Sequence, residues 1–289
     1  MAELLLEPFT YGFMRNALAA GLLTVVASSL VGTWVVLRGL AFIGDALAHG
    51  VLPGIALAYL LGGDLLLGAA LGAAVMVGGV SVVSTRSRLG EDTAIGLLFV
   101  GMLALGVAII SARGAYAGDL TTILFGDPIG VGRDDLRVLV VATLIAVVAS
   151  VVAYRPFLAL TYDRAKARTL GLRPQVAHLV MLALVALVVV SSFRAVGTLL
   201  VFAFLVAPPA TAVLVARRVP VVMVASVGFG SLAVVFGLLA SYHLATATAA
   251  TIAGVSVLGF FIVLLGRDAL AGLRRPRTAR VSGSPRSVR

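Results

Sequence analysis

The sequence predicts an all-α, polytopic transmembrane helical bundle of about eight to nine spans, and three observations carry that prediction. Hydrophobic residues make up 61% of the 289-residue chain and mean hydropathy is +1.14, whereas soluble domains are roughly 45–50% apolar. Charged residues amount to only 12% and gather between long apolar runs such as 136–154, a length suited to the bilayer core. Most of these runs are apolar on both faces, as in helices surrounded by lipid and by other helices, and they lack the alternation of transmembrane β-strands.

Apolar runs between charged or turn-rich breaks place spans at 15–37, 41–61, 65–84, 93–112, 136–154, 176–193, 195–216, 219–241 and 247–266. The first run is too long for a signal peptide, lacks a convincing cleavage site and is followed at once by a second span. Asp64 falls in the loop before the third span and reads as a solvated carboxylate. Gly68 and Gly72 form a GxxxG-type pair and Gly106 follows Gly101 by five residues, both marks of close helix packing. Residues 113–135 form a long polar connection with Asp119, Asp127, Asp134 and Asp135 and a turn-forming Gly-Asp-Pro at 126–128. Residues 155–175 are a second long connection, in which 163–170 can form a short interfacial helix stopped by Gly171. In the seventh span Pro208 and Pro209 remove backbone donors, which kinks or breaks the helix; such breaks line pathways in some transporters and are plain kinks in other membrane proteins. Residues 1–273 thus read as one transmembrane domain and 274–289, rich in Arg, Ser and Pro, as a basic disordered tail.

The basic residues set an orientation. Arg38, Arg86, Arg88, the arginines of 155–173, Arg217, Arg218 and the tail share one side, which the positive-inside rule makes cytoplasmic, with the N-terminus outside. The other side carries Arg15, Arg113, Arg133, Arg137 and Arg194. The net charge of +10 therefore reads as membrane topology, with the lipid bilayer as partner and no nucleic acid.

Several chemistries are excluded. No cysteine is present, which removes disulfides, thiolate metal sites and cysteine nucleophiles. The sequence has no GxxxxGK[ST] phosphate loop, and Lys166 is its sole lysine. Neither HExxH nor GxSxG occurs. The chain therefore reads as carrying no catalytic site and no permanently bound cofactor.

One constellation stands out, Gly44-Asp45-Ala46-Leu47-Ala48-His49-Gly50 at the start of the second span. Residues four apart share a helix face, so Asp45 and His49 present a carboxylate and an imidazole to one point. Ionisable groups at membrane depth normally face a cavity or the bundle interior. The pair suits Zn2+, Mn2+ or Fe2+, and two copies across a symmetry axis would complete four-coordination. An Asp–His hydrogen bond tying helices together is the alternative. His243, near the outer end of the eighth span, is a weaker metal candidate or an interfacial histidine, and His178 reads as structural.

Val36-Leu37-Arg38, then Gly44-Asp45-Ala46-Leu47-Ala48-His49-Gly50-Val51-Leu52-Pro53-Gly54, resembles the permease subunits of the zinc and manganese ABC importers, which typically read LRR…GDALSHAVLPG. The likeness continues at Arg194-Ala195-Val196-Gly197-Thr198-Leu199-Leu200 and Ala207-Pro208-Pro209-Ala210-Thr211-Ala212, over nearly the whole chain. The resemblance implies a type II importer-like permease in a bacterial cytoplasmic membrane. It further implies a homodimeric pathway, a cytoplasmic ATP-binding cassette subunit under each copy, and an extracytoplasmic metal-binding protein. Asp45 and His49 match the family's metal-coordinating positions. The family's coupling segment DxExAxxxG is matched at 163–171 by Asp163, Lys166, Ala167 and Gly171, with Ala165 in place of the glutamate. Where the family often reads SYYLDLPSGAT, this chain has His243 and Ala245 in Ser241-Tyr242-His243-Leu244-Ala245-Thr246. Three rival readings stay open: an ion-gradient-driven secondary transporter or channel, a siderophore- or cobalamin-type ABC permease, and an intramembrane enzyme built on the Asp–His pair.

Overall fold

The computed structural model describes residues 7–87, 89–111, 130–162 and 173–274. Among them every regular element is helical. A 3-10 turn, Glu7–Thr10, precedes α1 (Gly12–Leu37), α2 (Ile43–Gly50), α3 (Leu52–Leu60), α4 (Leu65–Arg86), α5 (Glu91–Ser111), α6 (Arg133–Val152), α7 (Tyr154–Tyr162), α8 (Pro174–Val196), α9 (Thr198–Val215), α10 (Val219–Leu244) and α11 (Thr248–Arg274). Among the described residues nine segments are long and apolar enough to cross a membrane when α2 and α3 count as one span, so the all-α polytopic bundle stands. Helix α1 is the hub: α6, α8, α9 and α10 pack against it, while α2 to α5 form a second group joined to it through α8 and through the packing of α2 on α9.

Close backbone approach explains the small residues. A side chain at Gly32 of α1 would overlap the Leu205 carbonyl of α9, and one at Gly54 of α3 would overlap the Gly68 carbonyl of α4. Gly68 and Gly72 thus serve the tight packing that their spacing suggests; Gly106 lies against Leu52, whereas Gly101 faces open space.

The structure refines four sequence expectations. The second span is two helices, because Pro53 has no N–H to donate to the carbonyl of His49 four residues earlier. Conversely, α9 runs through Pro208 and Pro209 without a break, and both are buried. The Leu205 carbonyl, deprived of its helical donor by Pro209, is the atom that Gly32 approaches. Asp64 is a cap: its Oδ1 accepts the N–H groups of Leu66 at 2.6 Å and Leu67 at 3.2 Å, at the start of α4. Finally, 155–162 belongs to α7, which buries Phe157 and Leu160. Trp34 of α1 meets Tyr154 and Phe157 edge-on at 5.5 and 5.6 Å. The expected coupling residues Asp163, Lys166, Ala167 and Gly171, the turn at 126–128 and the tail from 275 lie outside the described residues.

Candidate metal site

Helix α2 presents Asp45 and His49 one turn apart. Asp45 Oδ1 and His49 Nε2 stand 3.6 Å from each other, with 32% and 24% of their side chains exposed. That separation is too long for a hydrogen bond. Two ligand atoms each about 2.1 Å from a tetrahedral metal lie about 3.4 Å apart, so the observed gap suits shared coordination better than a helix-tying hydrogen bond. The other ring nitrogen, His49 Nδ1, is buried without a hydrogen-bond partner, which leaves Nε2 as the nitrogen available to a ligand.

The helix break sits beside this pair. His49 supplies the carbonyl that Pro53 leaves without its helical donor, and the ladder resumes at Ile55, whose N–H reaches the Val51 carbonyl at 3.0 Å. An aromatic patch flanks the imidazole: Phe99 of α5 meets His49 edge-on at 5.6 Å and Phe42 at 5.3 Å. Phe42 is 43% exposed, so the aromatic patch beside the pair reaches the surface of the chain.

Asp45 and His49 are the only expected site residues that the fold gathers among those described, where no group of three or more His, Asp or Glu could hold a metal. His243 is exposed and stacks edge-on with Tyr242 at 5.4 Å. Tyr242 borders a cavity with Phe13 and Met14, at the N-terminal end of α1, whereas Asp45 follows its C-terminal end. Spanning 26 residues, α1 separates those ends by about 39 Å. Pro208 and Pro209 lie within α9 and contribute backbone geometry.

A second polar cluster was not anticipated. Arg38, just past the end of α1, donates from Nη2 to Glu91 Oε2 of α5 at 2.9 Å, and from Nη1 to His178 Nδ1 of α8 at 3.0 Å. Nη1 also lies 3.5 Å from Met181 Sδ, while His178 Nε2 is 3.9 Å from Glu91 Oε1. The Arg38, Glu91 and His178 side chains are 7%, 16% and 6% exposed. Sequence reading took Arg38 as a loop charge and left Glu91 unassigned. The available signal was that all three ionisable groups fall at span ends on the same side.

Comparison with known proteins places this arrangement. Residues 10–267 match the ABC 3 transport family. The chain is 35% identical over 243 residues to the manganese transport system membrane protein MntC of Halalkalibacterium halodurans, covering 84% of this chain and 83% of that one. It is also 35% identical over 265 residues to a probable iron transport system membrane protein of Haemophilus influenzae, covering 92% and 97%. Among solved structures, PsaBC from Streptococcus pneumoniae in complex with Fab superposes with a TM-score of 0.79 at 30% identity, covering 91% of this chain and 95% of that one.

Proposed function

The chain belongs to the ABC 3 transport family, and from that premise we propose that it is the membrane-spanning permease of an ATP-driven importer of a divalent transition metal. Mn2+ and Zn2+ are the leading cargoes and Fe2+ the third. The observation that carries this reading is the Asp45–His49 pair, a carboxylate oxygen and an imidazole nitrogen 3.6 Å apart, the spacing of two ligands on one ion. Relatives named for manganese and for iron transport favour those cargoes; the borderline donor set accommodates Zn2+ equally well.

Two copies related by a two-fold axis would bring two carboxylates and two imidazoles together and complete four-coordination. One copy alone offers an incomplete, partly exposed set, which is what a pathway needs if the ion is to leave again. Asp45 supplies the charge that offsets the ion, and His49 Nε2 supplies a neutral nitrogen. Phe42 and Phe99 shield the ion from bulk water while it is held.

Energy comes from a cytoplasmic ATP-binding cassette subunit, since this chain carries neither a phosphate loop nor the lysine that such a loop places. Asp163, Lys166, Ala167 and Gly171 form the contact with that subunit, and rigid-body movement of the helices alternates access between the two sides. An extracytoplasmic metal-binding protein delivers the ion. The permease sits in the bacterial cytoplasmic membrane with its N-terminus outside and its C-terminus cytoplasmic.

The test is reconstitution of the chain with its ATP-binding subunit and delivery protein in proteoliposomes. ATP-dependent accumulation of Mn2+, Zn2+ or Fe2+ is expected. Accumulation by the permease alone, driven by an ion gradient and indifferent to ATP, would overturn the proposal.

A further inference from the structure

The buried cluster at the other side of the α1–α2 turn has a chemistry of its own. A guanidinium is always charged and only donates, so the 3.0 Å contact makes His178 Nδ1 an acceptor and fixes this imidazole as neutral, with its proton on Nε2. His178 and Met181 are one turn apart on α8 and direct Nδ1 and Sδ at the same guanidinium nitrogen, while Glu91 takes the adjacent one. Three lone-pair donors from two helices therefore converge on a single cation that a third segment supplies.

An imidazole nitrogen, a carboxylate oxygen and a thioether sulfur form a donor set for a borderline divalent transition metal. We propose that Arg38 occupies a latent transition-metal site formed by Glu91, His178 and Met181, and that the transported ion takes this site by displacing the guanidinium. The inference rests on the transport reading above. It adds a second ion position at the end of the bundle where α1 closes and α5 and α8 begin, which is the cytoplasmic end in the proposed orientation.

Occupancy by arginine and by metal must be exclusive. His178 Nδ1 has one lone pair, which either Arg38 Nη1 or an ion can take but not both, and two cations side by side in a site almost closed to water repel strongly. Entry of the ion therefore breaks the Arg38 bonds to Glu91 and His178 that link the end of α1 to α5 and α8. Because α1 runs through the short turn at 38–42 into α2, this release acts on the helix that holds Asp45 and His49. Arrival of the ion at the inner position and loosening of the inner end then become one event.

The test uses Co2+ alone, whose visible absorption reports ligand type, with the purified permease–ATPase complex in detergent. All variants carry Asp45→Ala and His49→Ala, so the first ion position is silent. Adding Arg38→Ala should tighten Co2+ binding by about ten-fold or more and give imidazole-ligated absorption bands; adding His178→Ala should abolish both. No gain on Arg38→Ala in an assembled complex, or a gain that survives His178→Ala, overturns the proposal. If Arg38→Ala does not assemble, the chain with native Arg38 is titrated to high Co2+, where His178-dependent bands support the proposal and their absence overturns it. Uptake by the unaltered complex is read separately, so loss of the transport reading and loss of this site give different results.

Discussion

Replacing Glu91 with glutamine removes a charge while keeping the length of the side chain, and the consequence can be worked from the cluster. Arg38 is 7% exposed and its carboxylate partner 16%, so Glu91→Gln takes the charge out of a buried ion pair from one side. Breaking a buried pair from one side costs about 3–5 kcal/mol. The contacts to His178 and Met181 persist, which places the expected loss near the lower end, about 3 kcal/mol. The chain has a single tryptophan, Trp34, one turn before Arg38 and packed on Tyr154 and Phe157. Its fluorescence therefore reports unfolding at this junction during titration from mild detergent into dodecyl sulfate. The double variant Arg38→Met/Glu91→Leu removes both charges and should recover most of the loss, with a coupling energy of about 2 kcal/mol. A loss under about 0.5 kcal/mol for Glu91→Gln, or additive single effects, would show that water already screens the pair and would refute the reasoning.

Other perturbations separate packing from transport. Gly32→Val should disrupt assembly, because its side chain would enter the Leu205 carbonyl, whereas Gly78→Ala meets nothing within 4 Å and should run as the parent in size-exclusion chromatography. Asp64→Ala removes the cap of α4 and should cost about 1 kcal/mol in the same fluorescence-monitored unfolding, with uptake retained. Pro53→Ala restores a donor for the His49 carbonyl and should stabilise the chain by about 1 kcal/mol while slowing metal uptake, because a straightened α2–α3 span turns the ligand pair. His243→Ala should leave uptake within about two-fold of the parent, a change of under about 0.5 kcal/mol, since the fold keeps this exposed side chain away from Asp45 and His49.

The helices were legible in the sequence because lipid imposes them: an unbroken apolar run must satisfy its backbone internally, and length alone then counts the spans. The Asp45–His49 pair was legible for a related reason, since two ionisable residues four apart in such a run have few roles. What escaped was set by tertiary contact. Proline signals a lost donor but not its consequence: Pro53 divides a helix where the chain turns past α4, while Pro208 and Pro209 lie in an unbroken α9 that packs closely on Gly32. Asp64 is exposed, as its loop position suggested, but its capping role was not legible because capping depends on the local backbone. Glu91 and His178 lie 53 and 140 residues from Arg38, and no local pattern joins the three. Arg38 read as a loop charge and His178 as structural, and Glu91 carried no assignment, until packing put them within reach.

Metal uptake by Asp45→Ala and His49→Ala variants tests the central claim most directly, in proteoliposomes containing the ATP-binding subunit and supplied with loaded delivery protein. Each variant should still assemble with the ATP-binding subunit and be recovered with it, yet lose ATP-driven Mn2+, Zn2+ or Fe2+ accumulation. Assembled variants that accumulate the ion at the parent rate would contradict the assignment of this pair as the ligands in the pathway.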